Sequence, residues 1–254
     1  MVKGFQGFAE WFRGYEDEYA IIGGTACDLL MSEEGLEFRA TKDIDLVLIV
    51  EALTPEFGQR FWQYIIQAGY EHKNKSTGVS QFYRFSHPKS GEYPLMIELF
   101  TRRTEKIQLP DEAILTPLPL EGDISSLSAI LLDDDYYELL RQGRTQVDGV
   151  TILDAGYLIL FKAKAWLDLS ARKAAGESID SKHLKKHKND VFRLCALLGP
   201  SAKIYISPPI FQDLHIFITA MASENVDEKQ LGLIRTKEQI LRQMQDTYVL
   251  WKNE

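Results

Sequence analysis

Cys27 and Cys195 are the only two cysteines in 254 residues. They form no metal-type spacing, and the reading for them is packed thiols in a reducing compartment, not a disulfide. Long hydrophobic runs are missing as well. No stretch approaches the ~18 consecutive apolar residues that a bilayer span needs, and the opening MVKGFQGFAEWFRGYEDEY lacks the apolar segment of a signal peptide, so a cytoplasmic protein without a membrane partner is expected. Nor is there an excess of positive charge. Lys and Arg number 29 against 37 Asp and Glu, a net charge of −8, which disfavours a phosphate backbone everywhere except at a local basic patch. Internal repeats and low-complexity linkers are also lacking, which excludes solenoids and tethered arrays and leads us to expect two halves packed as one body. What remains, 45% hydrophobic and 26% charged residues, is the balance of a globular chain long enough for one large domain or two modest ones.

Patterning along the chain predicts a mixed α/β front and a helical back. An aromatic-rich amphipathic start leads to a strand at Tyr19–Ile22, a turn at Gly23-Gly24-Thr25 and a helix over Ala26–Met31 that Gly35 ends. Branched apolar residues predict a buried strand over Asp43–Val50, and Pro55 opens a helix that stops at Gly69. Strands are expected at Gln81–Ser86, Leu95–Phe100, near Leu127–Leu132 and near Val150–Leu153. After Asp154, a plausible N-cap, helical periodicity runs through Tyr157, Phe161, Ala165 and Leu169 and continues to the end. The expected domains are 1–153 and 154–254.

Three groups of residues could carry chemistry. Asp43 and Asp45 lie two apart on a strand, so they project from one face about 7 Å apart and repel each other. They are either the exposed acids of an edge strand or, given the apolar run Leu46–Val50 behind them, a pair at the mouth of a buried strand where a cation offsets the repulsion. Oxygen ligands alone favour Mg2+ or Mn2+ over zinc. Gly23 and Gly24 before a helix are either a tight turn or a place where phosphate approaches backbone N–H groups and the helix dipole. Glu98 stands in the apolar strand Leu95–Phe100; it faces solvent by alternation, or it joins the same cation.

In the helical half, about 100° per residue puts Lys162 beside the apolar stripe of Leu158, Phe161, Ala165 and Leu169, and Lys164 about a third of a turn away, within reach of Asp168. Lys162 is the better candidate to reach inward, although a lysine lying along a core face reads the same way. Lys182, Lys185, Lys186 and Lys188 give Ser181–Asp190 a local positive charge that is either a solvated helix face or a nucleic-acid patch. His183, His187 and Asp190 share a stripe, but Leu184 stands where a zinc protease motif has its glutamate, which argues against zinc. Asp190 borders the apolar stripe of Leu184, Val191, Cys195 and Leu198, where it can pair with a neighbour.

Taken in order, a strand ending in Gly23-Gly24-Thr25, a helix, Asp43-x-Asp45 and a later acid resemble the nucleotidyltransferase superfamily typified by DNA polymerase β, and most of all the bacterial AbiEii-type proteins. The stretch Leu160–Ala165 looks like that family's lysine-bearing helix, and His187–Leu194 like its Asp-containing closing motif. A departure is the spacer of 18 residues between Gly24 and Asp43, an extra loop with Glu33, Glu34 and Arg39. The resemblance implies an α+β fold, with a nucleotidyltransferase-like mixed sheet flanked by helices and a C-terminal helical region. It implies Mg2+ or Mn2+ on Asp43, Asp45 and Glu98, phosphates of a nucleoside triphosphate on Gly23, Gly24 and Thr25, Lys162 as a catalytic residue that adds charge on the phosphates as pyrophosphate leaves, and Asp190 as a catalytic residue that orients Lys162 or a substrate. Nucleotidyl transfer to a hydroxyl would follow, with RNA as a candidate acceptor along Lys182, Lys185, Lys186 and Lys188, and with a toxin role and an antitoxin protein as partner. The alternatives are a protein of the same fold that binds or regulates without catalysis, and a glycosyltransferase using Asp-x-Asp with a nucleotide-sugar.

Overall fold

Eight strands with two unlike faces organise the first of two units into which the chain divides, Met1–Leu153 and Asp154–Glu254. The computed structural model describes residues 2–71, 83–102 and 132–251, and the backbone of 115–117 and 128–131. Gln81, Phe82 and Leu127, which the sequence reading placed in strands, lie outside the described residues. The strands are β1 (Tyr19–Ile22), β2 (Asp43–Leu48), β3 (Arg84–Ser86), β4 (Met96–Thr101), β5 (Leu115–Pro117), β6 (Ser128–Leu131), β7 (Arg144–Val147) and β8 (Val150–Leu153). They run in the order β5-β6-β4-β2-β1-β8-β7, with β3 on β4. The sheet combines antiparallel pairs (β1–β2, β3–β4, β5–β6, β7–β8) with parallel ones (β1–β8, β2–β4, β4–β6), and with the helices this makes a mixed α+β fold.

Alternation along the strands sorts the side chains. Tyr19 meets Phe8, Phe12 and Phe57, and Phe61 meets Phe85, so helices α1 (Phe5–Trp11) and α3 (Pro55–Ala68) cover one sheet face with rings. Register puts Ile21 with Leu46 and Ile97 with Phe85 on that face. Asp43, Asp45, Arg84 and Glu98 therefore fall on the other. Helix α3 is bounded as the sequence predicts, with Pro55 in the first turn and Gly69 closing it at φ 65°; Thr54, which the sequence reading did not single out, caps its start by accepting the Phe57 amide. Thr54 is held in turn by the buried Glu18 carboxylate, whose pKa is raised by burial against the opposing hydrogen bonds of Thr54.

The acidic run 133–135, read from sequence without a helix, opens α4 (Asp134–Gln142). Asp133 caps the amides of Asp135 and Tyr136, and two further acids occupy the first turn, where the helix dipole favours them. The second unit holds α5 (Ala155–Ala174), α6 (Ser181–Leu194), α7 (Pro208–Ser223) and α8 (Lys237–Thr247). It is not helical throughout: β9 (Ile204–Ile206) and β10 (Tyr248–Leu250) pair in parallel. Cys195 is fully buried there, and burial pushes its thiol up to about 12 against the opposing charge of Arg235. Among the described residues, no helix is long and apolar enough to cross a membrane.

Candidate active site

The glycine turn and the acids of β2 meet at one end of the sheet because β1 and β2 are antiparallel neighbours. Ile22, the last residue of β1, pairs with Asp45. The chain then enters helix α2 (Gly23–Glu33) directly, three residues earlier than the sequence reading placed the helix start. Gly23 has φ +73°, and a Cβ there would run into the Asp45 carboxylate. Thr25, 1% exposed, donates its hydroxyl to the Asp43 carbonyl at 2.5 Å. Its hydroxyl thus ties α2 to β2, and what Thr25 offers the site in this arrangement is position. The N-cap residue of α2, Ile22, has no side chain able to cap, and the start of the helix, with its partial positive charge, lies against the Asp45 carboxylate.

Asp43 and Asp45 are partly exposed, while Ile44 and Leu46 between and beyond them are fully buried. The pair therefore stands on one face of a central strand, not at a sheet edge. β4 alternates in the same way, with Ile97 and Leu99 buried and Glu98 on the carboxylate face in register with Asp45. Glu98 is not turned to the aspartates alone: Arg84, opposite it on β3, donates Nε to Oε1 at 2.5 Å. Among the described residues, no three His, Cys, Asp or Glu side chains are grouped to hold a metal ion. The expectation of a three-carboxylate ligand set thus meets two carboxylates and a third engaged by arginine. Two carboxylates still suit Mg2+, which keeps water ligands and takes one or two protein carboxylates together with substrate phosphates.

Two cations that sequence reasoning did not assign emerge here. Arg39, from the long spacer, comes so close to Gly24 that a Cβ there would lie 3.3 Å from its Nη2 and 2.7 Å from Thr41 Oγ1. The spacer loop thus returns to the glycine turn, a folding-back that no local pattern announces. Arg84 is the other; its position opposite an acid on a neighbouring strand becomes visible only once register is fixed.

In the second unit Lys162 and Asp190 come together across α5 and α6, Nζ to Oδ2 at 3.2 Å, with side chains 5% and 0% exposed. Lys164 instead faces outward, to Asp168 at 3.5 Å and Asp213 at 3.2 Å. Of the lysines expected to guide RNA, Lys182, Lys185 and Lys186 are exposed. Lys188 departs from that expectation: it is buried, and its ammonium is spent on Glu224 at 2.6 Å and the Asn225 carbonyl at 2.8 Å, because its position on α6 turns it inward.

Gly23→Ala separates backbone from contact. The left-handed φ costs an L residue about 1–2 kcal/mol, and the added methyl displaces Asp45. We expect a lower melting temperature and loss of any ligand held by Asp45. Gly24→Ala has no such φ and meets only side-chain atoms, so its melting temperature should fall less; equal falls would mean that Gly23 is not the pivot of the turn.

No family model matches the chain, and no curated protein matches it. Among solved structures it is similar to the antibiotic-resistance factor ANT(2'')-Ia, whose solution structure was described as showing substrate-regulated conformation dynamics. The two are 13% identical over 87% of this chain and 91% of that one, with a TM-score of 0.38. Superposition at that level is too loose to carry a functional assignment.

Proposed function

We propose that this protein is a nucleotidyltransferase that moves a nucleoside monophosphate from a nucleoside triphosphate to an acceptor hydroxyl. The observation that supports this reading best is the packing of the Asp45 carboxylate against Gly23, which brings the start of a helix to two carboxylates on one strand face. Backbone N–H groups at Gly23 and Gly24 would receive the phosphates. Asp43 and Asp45 would hold Mg2+, with Glu98 joining them if Arg84 gives it up. When bound, magnesium supplies charge neutralisation on the phosphates and a lowered pKa for the attacking hydroxyl. In the reaction the acceptor hydroxyl releases its proton to solvent, its oxygen bonds to the α-phosphorus, the bond from that phosphorus to the bridging oxygen breaks, and pyrophosphate leaves with the electron pair. Arg39 and Arg84 are placed to offset the charge that accumulates on the same strand face. Lys162, paired with Asp190 within the second unit, would either fix α5 against α6 or add positive charge as pyrophosphate leaves. RNA is the acceptor we favour, met by Lys182, Lys185 and Lys186, and the resemblance to AbiEii-type proteins extends the proposal to a toxin with an antitoxin partner.

Isothermal titration with each of the four ribonucleoside triphosphates, in magnesium and in chelator, tests the reading. Binding that requires magnesium and is selective for one or more bases supports it. Absence of binding to all four would leave a protein of this fold without a donor site, the non-catalytic alternative.

A further inference from the structure

Helices α5 and α6 and residues 224–231 wall a cavity of about 840 Å³ that lies wholly within the second unit. That is the size range of sites for small molecules, about 300–1,000 Å³. Trp166 lines it, with its ring set edge-to-face against Phe217 at 5.6 Å and 85°, so the indole is a fixed surface. Leu184 and Leu231 add apolar wall, and Asn189 adds an amide.

The charges on the wall do not cancel. Lys188 is neutralised by Glu224. Lys173 donates to the Ser181 hydroxyl at 2.7 Å, a partner that fixes the ammonium without answering its charge. Lys185 is exposed and forms no ion pair among the described residues. Against these two stands one carboxylate, Asp227, which accepts the Gln230 amide. A local positive excess beside a fixed indole, on a chain of net charge −8, suits a ligand with a flat ring and an anionic group.

We propose that this cavity binds a nucleotide, its base on Trp166 and its phosphate on Lys173 and Lys185. The inference does not depend on the donor site of the transferase reading, since the cavity contains neither aspartate of β2; it shares Lys185 with the RNA path proposed above, and Trp166→Ala separates the two. A free mononucleotide and the terminal nucleotide of an RNA present the same chemistry, and the experiment separates them.

The test is titration of the full chain, in chelator so that magnesium-dependent binding is silent, with AMP, CMP, GMP and UMP and with a 5′-phosphorylated RNA pentamer. Tryptophan fluorescence is the readout, with Trp166→Phe identifying the reporting residue and calorimetry measuring affinity. Saturable binding should weaken by ~10-fold or more in Trp166→Ala, the scale of losing one stacked base. It should weaken by a similar factor in Lys185→Glu, an exposed substitution that leaves the fold intact. Binding of the mononucleotides assigns the site to free nucleotide; binding of the pentamer alone assigns it to an RNA end. No saturable binding by any of the five, or affinity unchanged in Lys185→Glu and Trp166→Ala, overturns the proposal. So would fluorescence changes that persist in Trp166→Phe with Lys185→Glu at wild-type affinity.

Discussion

Asp45→Asn is expected to lower nucleotidyl transfer by ~10²–10³-fold, which corresponds to about 2.7–4 kcal/mol of lost transition-state stabilisation, while the protein stays folded. The two halves of this expectation have separate causes. Asp45 is partly exposed, lies two residues from Asp43 on one strand face, and packs against Gly23, so the amide fills the same space and removes a like-charge repulsion. Stability should therefore hold within about 1 kcal/mol, the usual span for substitutions away from core packing. The activity loss follows because the pair would no longer present two anionic oxygens to the cation that the phosphates require. Radiolabel transfer from the triphosphate identified by titration reads the first half, and a thermal melt reads the second. Full activity in a folded Asp45→Asn protein would show that this carboxylate is scaffold and would end the assignment of the metal to Asp43 and Asp45.

How far the site was legible follows from range. Strand β2, the helix start at Pro55 and the stop at Gly69 are local, and each rests on a short stretch whose chemistry acts on its own neighbours. The expected strand at Leu95–Phe100 matches β4 within a residue at each end, yet the two roles left open for Glu98 could not be separated, because alternation fixes a face and only register fixes a neighbour. Arg84 is that neighbour, joined to Glu98 across 14 residues, and Arg39 reaches Gly24 by the fold-back of a spacer. Neither contact has a periodicity to betray it.

Other elements were missed although their signals were present. Asp148-Gly149, both at positive φ, forms the two-residue turn of the β7–β8 hairpin, the strongest short hairpin signal there is, and only β8 was expected there. Asp133 marks a helix start for the same capping reason that was applied at Asp154, and the two acids after it add the dipole signal. The strands β9 and β10 are different in kind. They are three residues each and more than forty residues apart, so neither has enough pattern to be seen without the other.

Lys162→Met should destabilise the protein by about 3–5 kcal/mol, since it leaves the Asp190 carboxylate buried at 0% exposure without the ammonium 3.2 Å away. Methionine keeps the length of the stem, so the loss reports the charge and not a cavity. Lys164→Met is the matched comparison two residues on. Its partners Asp168 and Asp213 are within reach of water, and exposed pairs are worth about 0–1 kcal/mol, so its denaturation midpoint in urea should move little. Adding Asp190→Leu to Lys162→Met should recover part of the loss, because an apolar pair no longer carries an unanswered charge. The same series decides what Lys162 does for activity. If its work is to fix α5 against α6, transfer measured well below the melting transition should stay near wild type in the double variant. If instead the ammonium itself meets a substrate phosphate, transfer will remain low in the double variant although stability returns, and Lys162 would then be a catalytic residue whose pairing with Asp190 is its resting state.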